Sequence, residues 1–261
     1  MKSGARAIPI WPSRVLVCLL LAAPCLFVFA QQPERVEKEA QLLLETGQNA
    51  FDQAHYDQAL RAFTRAYLLS TSSPKTAALA QLKMGGVYMA QRKFEAAAAS
   101  FKRSIATDPT LALAHNNLGE ALGELRQYTR ALEFFNKAIA LDAGLVRARY
   151  NMGITYSRLG NLKYAEFVFR LLVRDRPDYD LGLDGLAVTL AKSGRAREAI
   201  PFHQKAVFLN PQEPSYYYNL ALSYLLTGDT AKALEQQKRL QTLAPEVADR
   251  LASVIIKKRI P

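Results

Sequence analysis

Residues 116–142, NNLGEALGELRQYTRALEFFNKAIALD, read as two short helices, and neither carries enough apolar surface to stand alone. Their partners are copies of themselves. Stepping 34 residues forward from Gly119 reaches Gly153, Ala187 and Ala221. Stepping back reaches Gly85 and, across four extra residues, Gly47. Twelve residues beyond each stand Ala59, Ala97, Ala131, Ala165, Ala199 and Ala233. Four further on come Phe63, Phe101, Phe135 and Phe169, then His203 and Gln237. Self-similarity at this period marks an array of small repeats, each of which must stack on its neighbours to bury an apolar face.

The columns have a physical sense. A small residue on the first helix of each pair lets the second helix approach closely, and the alanine column does the same from the other side. Met84, Leu118, Met152, Leu186 and Leu220 fill the space between, with Tyr88, Leu122, Tyr156, Leu190 and Tyr224 beside them. Gly160, Gly194 and Gly228 share one position between the helices, where a left-handed residue ends the first helix. Pro109, Pro177, Pro211 and Pro245 close the repeats, because proline breaks what precedes it and suits a helix start. Asp108 and Asn210, just before two of these prolines, are expected to cap.

From the small residue of the first helix through Ala and Phe to the closing Pro, these columns resemble the tetratricopeptide repeat family over Ala40 to Val247. The resemblance implies an all-α, right-handed superhelical solenoid of six helix-turn-helix repeats. They fall at 40–73, 78–111, 112–145, 146–179, 180–213 and 214–247, with 31–39 as a lead-in and 248–261 as a capping helix. The first and last repeats depart most: Thr46 replaces a large residue, Thr71 the closing proline and Gln237 the Phe, as terminal repeats commonly do. The extra residues SSPK around Pro74 are expected to loosen the joint between the first two repeats. In EVADRLASVIIKKRI, Leu251, Val254 and Ile255 share one helical face, which suits a cap that is apolar toward repeat six.

Ahead of the repeats, Lys2, Arg6 and Arg14 lead into VLVCLLLAAPCLFVFA, residues 15–30, which is uncharged. Val28 and Ala30 fit the small-residue rule of signal peptidase, so residues 1–30 read as a signal peptide cleaved after Ala30. The protein is then exported, periplasmic or secreted. The run of 16 residues contains Pro24 and is short for a full span; the alternative is an uncleaved membrane anchor through residues 15–30. Cys18 and Cys25 are the only cysteines and both lie inside this segment, so the exported part has no disulfide or thiolate site. The net charge of +11, from 34 Lys+Arg against 23 Asp+Glu, suits weak attraction to acidic partners without identifying one. Lys257-Lys258-Arg259 reads as a solvated last turn facing the negative end of a helix dipole. No aromatic platform or basic groove accompanies it, so no nucleic-acid partner is expected.

Catalytic signals are sparse. His55, His115 and His203 read as half-buried structural residues with no second ligand or base at useful spacing. Glu120 and Glu124 share one face at i, i+4, where Arg147 or Arg158 of the next repeat could offset their repulsion. Phosphate loops, HExxH helices and GxSxG turns are absent. No enzyme, cofactor or metal site is expected.

The resemblance instead implies a concave groove lined by the first helices. Its exposed columns supply Leu113, Asn116, Asn117 and Glu120 in repeat three, and Arg147, Tyr150, Asn151 and Ile154 in repeat four. Repeat five supplies Asp184, Gly185 and Val188, and repeat six Ser215, Tyr218, Asn219 and Leu222. Asn117, Asn151 and Asn219 share a column that resembles the asparagine ladder of the O-GlcNAc transferase repeats, with Gly185 as its break. Amides donate and accept, so such a column suits the backbone of an extended peptide; the alternative is that this asparagine follows repeat consensus. The expected peptide-binding residues are Asn117, Asn151, Asn219, Arg147, Tyr150 and Tyr218. A chaperone-type carboxylate clamp is absent, because Leu82 and Gly86 stand where its Lys and Asn belong. The leading function is an exported, non-enzymatic scaffold that holds a peptide or protein segment of unknown identity. The alternatives are a membrane-anchored structural adaptor of an envelope complex and, third, an accessory domain of a glycosyl-transfer system, for which no aromatic sugar platform is evident.

Overall fold

A computed structural model describes residues 14–259, with side chains described over 33–257. Lys2 and Arg6 of the expected signal peptide lie outside the described residues, as do the side chains of the apolar run 15–30 and of Lys258 and Arg259. Among the described residues the chain is helical without strands. The helices are α1 (Arg14–Asp52), α2 (Tyr56–Leu69), α3 (Pro74–Ala90), α4 (Phe94–Thr107), α5 (Ala112–Glu124), α6 (Tyr128–Leu141) and α7 (Val146–Arg158). There follow α8 (Leu162–Asp175), α9 (Asp180–Lys192), α10 (Ala196–Leu209), α11 (Pro214–Leu226), α12 (Thr230–Leu243) and α13 (Pro245–Arg259). They form two compact units, residues 1–87 and 88–261.

In the first unit α1 packs on α2, and Leu44, Ala59, Phe63, Ala66, Ala80 and Val87 form the core. The four extra residues before repeat two fall at the start of a helix. Pro74 starts α3, so they add a turn to that helix, where proline's fixed φ and missing N–H cost nothing. The turn is tied down: Thr76 Oγ1 donates to Glu37 Oε1, and the Thr76 N–H meets Ser73 Oγ at 3.4 Å. Among residues 33–257 no helix is long and apolar enough to cross a membrane.

In the second unit consecutive helices pair antiparallel, and α13 closes the stack. Ala248, Leu251 and Ile255 of α13 join Leu220, Tyr224 and Leu240 in one core. The alanine column is fully buried at Ala97, Ala131, Ala165, Ala199 and Ala233, as are Phe101, Phe135 and Phe169. The glycine column explains the ring. A Cβ added at Gly119 would stand 2.6 Å from the Phe135 ring, and one at Gly153 2.6 Å from Phe169. The first unit repeats this at Gly47, 2.5 Å from Phe63. Where the first helix carries Ala187 or Ala221 instead, the partner is no longer Phe but His203 or Gln237. A methyl group and a phenyl ring exclude each other at this crossing.

The turn inside each pair is a Schellman motif. Gly160, Gly194 and Gly228 have φ of +77°, +79° and +87°. Ala54, Arg92 and Arg126 occupy the same place with φ of +59°, +58° and +59°, although they are not glycines. The hydrogen bonds of the motif hold them there: Gln127 N–H donates to Leu122 O at 2.8 Å and Arg126 N–H to Gly123 O at 3.0 Å. The expected caps differ. Asn210 Nδ2 donates to Asp180 Oδ2 at 3.2 Å, and the N-terminus of α11 is capped by Glu213 instead, whose side chain accepts from Ser215 N at 3.1 Å. Asp108 Oδ1 accepts from Thr110 N at 2.9 Å and shapes the turn around Pro109.

The same substitution should therefore have opposite signs at two glycines. Gly153→Ala meets a buried ring and should cost about 1–3 kcal/mol. Gly123→Ala, where an added Cβ meets nothing within 4 Å, should stabilise by about 0.4–1 kcal/mol. Denaturant unfolding of the two variants checks this, and shifts of equal sign would remove the Gly–Phe account.

Candidate functional site

The first helices α5, α7, α9 and α11 neighbour one another directly along the second unit. Where α5 meets α7 they leave an open cavity of about 310 Å³. Phe135, Tyr150 and Ile154 give it apolar walls, while Glu120, Glu124 and Arg158 bring charge. Gly123 also lines it. The space an alanine methyl would take there is empty, so the missing side chain is part of the opening.

The acidic pair of α5 is met by the next repeat, as the column arithmetic requires. Arg147 Nη2 donates to both carboxylate oxygens of Glu120 at 3.2 Å, and Arg158 Nη1 donates to Glu124 Oε1 at 3.0 Å. Exposed pairs of this kind contribute at most about 1 kcal/mol each. Their effect here is positional, since they fix two carboxylates along one edge of the cavity.

The asparagine column behaves differently from a simple ladder. Asn116, expected in the groove, is fully buried. It accepts from Asn151 Nδ2 at 3.2 Å and donates to Asn117 Oδ1 at 3.0 Å. The three amides form a polarised chain, which leaves Asn117 a spare donor and Asn151 a spare acceptor. Asn219 instead donates to both oxygens of Asp184 at 3.2 and 3.0 Å. Gly185 does not line the groove either. It is buried, because a Cβ there would stand 2.6 Å from Phe169. Tyr150 shares that neighbourhood, its ring 6.0 Å from Phe169 and 6.1 Å, edge-on, from Tyr179.

The expected groove residues thus fall into two groups. Asn117, Arg147, Tyr150 and Asn151 surround the α5–α7 junction. Tyr218 and Asn219 lie on α11, where Tyr218 packs on the core of repeat six and Asn219 is tied to Asp184. Sequence reasoning underrated Gly123, whose column holds larger residues elsewhere, such as Ser157 and Leu225. It also missed a partner for His203, which is 1% exposed, not half-buried. His203 Nδ1 lies 2.8 Å from Asp184 Oδ1, so its acidic partner stands 19 residues away, on the facing helix of the same repeat. His115 Nε2 reaches Pro109 O at 3.0 Å, and Tyr217, in the same column of repeat six, donates to Pro211 O at 3.1 Å. Both are repeat-closing ties. Among the described residues no three His, Cys, Asp or Glu side chains converge on a metal position.

Burial, together with the nearby Asp184 carboxylate, pushes the Tyr150 phenol up to about 12. Tyrosine in an unfolded chain ionises near pH 10, so between pH 10 and about 12 the unfolded state releases this proton first. Folded stability is therefore fully present below pH 10 and is lost as pH rises through that window. Tyr150→Phe should lose less stability than the unsubstituted protein between neutral pH and the alkaline end, read from urea midpoints. Identical losses would show that Tyr150 ionises as freely folded as unfolded.

The tetratricopeptide repeat family model matches residues 44–109, 82–146 and 185–248, and the chain belongs to that family. No curated protein matches the chain. Among solved structures, the pilF protein of Pseudomonas aeruginosa is 17% identical and superposes with a TM-score of 0.69, over 84% of this chain and 98% of its own. PilW, a type IV pilus biogenesis factor, is 22% identical with a TM-score of 0.72, over 82% of this chain and 98% of its own. YrrB, a tetratricopeptide protein described as having an unusual peptide-binding site, is 20% identical with a TM-score of 0.54, over 75% of this chain and 100% of its own. At these identities the likeness is one of fold.

Proposed function

We propose that this chain is an exported, non-enzymatic scaffold that holds an extended peptide or protein segment across the first helices of repeats three and four. The observation that carries this is the α5–α7 cavity with an amide chain beside it, whose unspent donor and acceptor match the alternating groups of a peptide backbone. Tyr150 and Ile154 supply the apolar contact area that anchors such a segment. Assembly of an envelope structure is the setting that fits the leader sequence. The fold shared with PilW, a type IV pilus biogenesis factor, over 82% of this chain accords with it.

A second reading, a membrane-anchored adaptor, draws on α1. Its backbone runs as one helix from Arg14 to Asp52, so residues 15–30 continue without a break into repeat one. An uncleaved segment would then hold the array at a membrane. The mature amino terminus separates the readings. A mass beginning at Gln31 supports export with cleavage, and a chain retaining residues 15–30 in the membrane fraction supports the anchor.

The groove is tested on a segment first isolated by affinity capture and then synthesised. Asn117→Ala with Asn151→Ala should weaken its binding by about 0.5–1.5 kcal/mol for each hydrogen bond lost. Arg130→Ala with Lys137→Ala on α6, both exposed, should leave binding and melting as they were. Loss of binding in the α6 pair with normal binding in the asparagine pair would move the site to the second helices.

A further inference from the structure

The α5–α7 cavity carries a chemical bias that the groove reading does not use. Several of its lining residues keep acceptors. Asn151 Nδ2 spends one N–H on Asn116, and its carbonyl oxygen stays unspent. Thr155 Oγ1 donates to Asn151 O at 2.8 Å, which leaves only its lone pairs. Glu124 accepts from Arg158 through Oε1, and among the described residues its Oε2 has no partner, with the side chain 36% exposed. The Tyr150 hydroxyl, which can give or take, also has none among the described residues. Of the two lining carboxylates, Glu120 is held by Arg147 through both oxygens and Glu124 by Arg158 through one, so Glu124 Oε2 is the carboxylate oxygen left to a ligand.

The shape is equally specific. Ile154, Phe135 and the Tyr150 ring give the cavity apolar sides, and the empty position at Gly123 gives it room. A ligand group that suits it is slender and aliphatic along its length, with donors and no acceptor at its tip. Lysine and arginine side chains have that form, burying the methylene stem while the charged end meets acceptors. An aromatic ring beside the stem favours a cation further.

We propose that this cavity receives one lysine or arginine side chain of the bound segment, with Gly123 setting its room and the unspent carboxylate oxygen of Glu124 its charge preference. The proposal rests on the groove reading above. Repeat three is where the chain can build such a pocket: the positions of Glu120 and Glu124 are held by Ile154 and Arg158 in repeat four and by Val188 and Lys192 in repeat five. The equivalent of Gly123 in repeat six is Leu225, which is buried and fills the corresponding space.

The test uses the full chain with isoleucine methyl groups labelled, and four probes of the form acetyl-Ala-Ala-X-Ala-Ala-amide, where X is lysine, arginine, norleucine or glutamate. Norleucine keeps the aliphatic stem of lysine without its charge. Titration is followed at the Ile154 methyl resonance, which reports from inside the cavity. The lysine and arginine probes should bind about three- to tenfold more tightly than norleucine, with glutamate weakest. The preference should shrink when salt is raised from about 0.05 to 0.5 M. Glu120→Gln with Glu124→Gln should bring lysine to the norleucine level, and Gly123→Leu should weaken lysine and norleucine alike while the protein melts normally. Norleucine binding as tightly as lysine overturns the proposal, as does a lysine preference that survives the double Gln variant. Either result leaves the groove reading intact if the Asn117/Asn151 variant still loses its captured segment. If no probe moves Ile154 the proposal also falls, and the asparagine variants then decide the groove reading separately.

Discussion

In each of repeats one, three and four a phenylalanine ring from the second helix lies against a point on the first where no Cβ fits. The contact is short because glycine leaves the backbone bare, and the ring takes up the room that the missing side chain provides. Burying one such ring is worth about 1.5–3 kcal/mol, more than a pair of isolated 13- or 14-residue helices could recover from propensity alone. Everything else in the repeat is subordinate to this crossing. It sets the separation of the paired helices and so determines which first-helix positions face the next repeat and which face outward.

The crossing also governs the polar interior. In repeat five Ala187 occupies the glycine position, the ring is lost, and His203 takes its place. A buried imidazole needs a partner, which it finds in Asp184. Asp184 then draws the Asn219 amide nitrogen from the neighbouring repeat, so one methyl group on α9 is linked to the hydrogen bonding of an asparagine on α11. In repeats three and four the ring is kept, no histidine competes, and the amides of Asn116, Asn117 and Asn151 bond to one another instead. The two halves of the first-helix surface therefore differ chemically although they come from the same repeat.

Most of the architecture was legible in the sequence because its period is strict. The small-residue, alanine and phenylalanine columns place the paired helices of repeats three to six, and the pairing of Glu120 and Glu124 with arginines one repeat on follows from the same spacing. The failures are of another kind. Arg126 in a left-handed conformation has no composition signal; it is visible only by aligning it with Gly160, and the column then outweighs the residue's own preference. Asn116 is expected in the groove from its column in the family, which holds Tyr150 and Tyr218 in repeats four and six, and a large ring reaches the surface from a position where a short amide does not. Gly185 looked like a gap in a ladder, whereas it is the clearance that the Phe169 ring requires from the following repeat as well as from its own.

That second clearance bears on what the groove can become. Phe169 touches Gly153 within repeat four and Gly185 across the boundary with repeat five, so one ring sets the distance both inside a repeat and between repeats. Tyr150 rests on the same ring and also lines the cavity, which makes the cavity wall continuous with the packing that holds the array together. A side chain on so constrained a support loses little freedom when a ligand arrives, and affinity depends on that saving more than on the area covered. The amide chain through Asn116 acts in the same direction, since Asn117 and Asn151 are held by a buried neighbour before any ligand is present. If the α5–α7 surface is the groove proposed above, it is arranged before a ligand arrives, and its selectivity would come from the chemistry of the side chains it already holds in place.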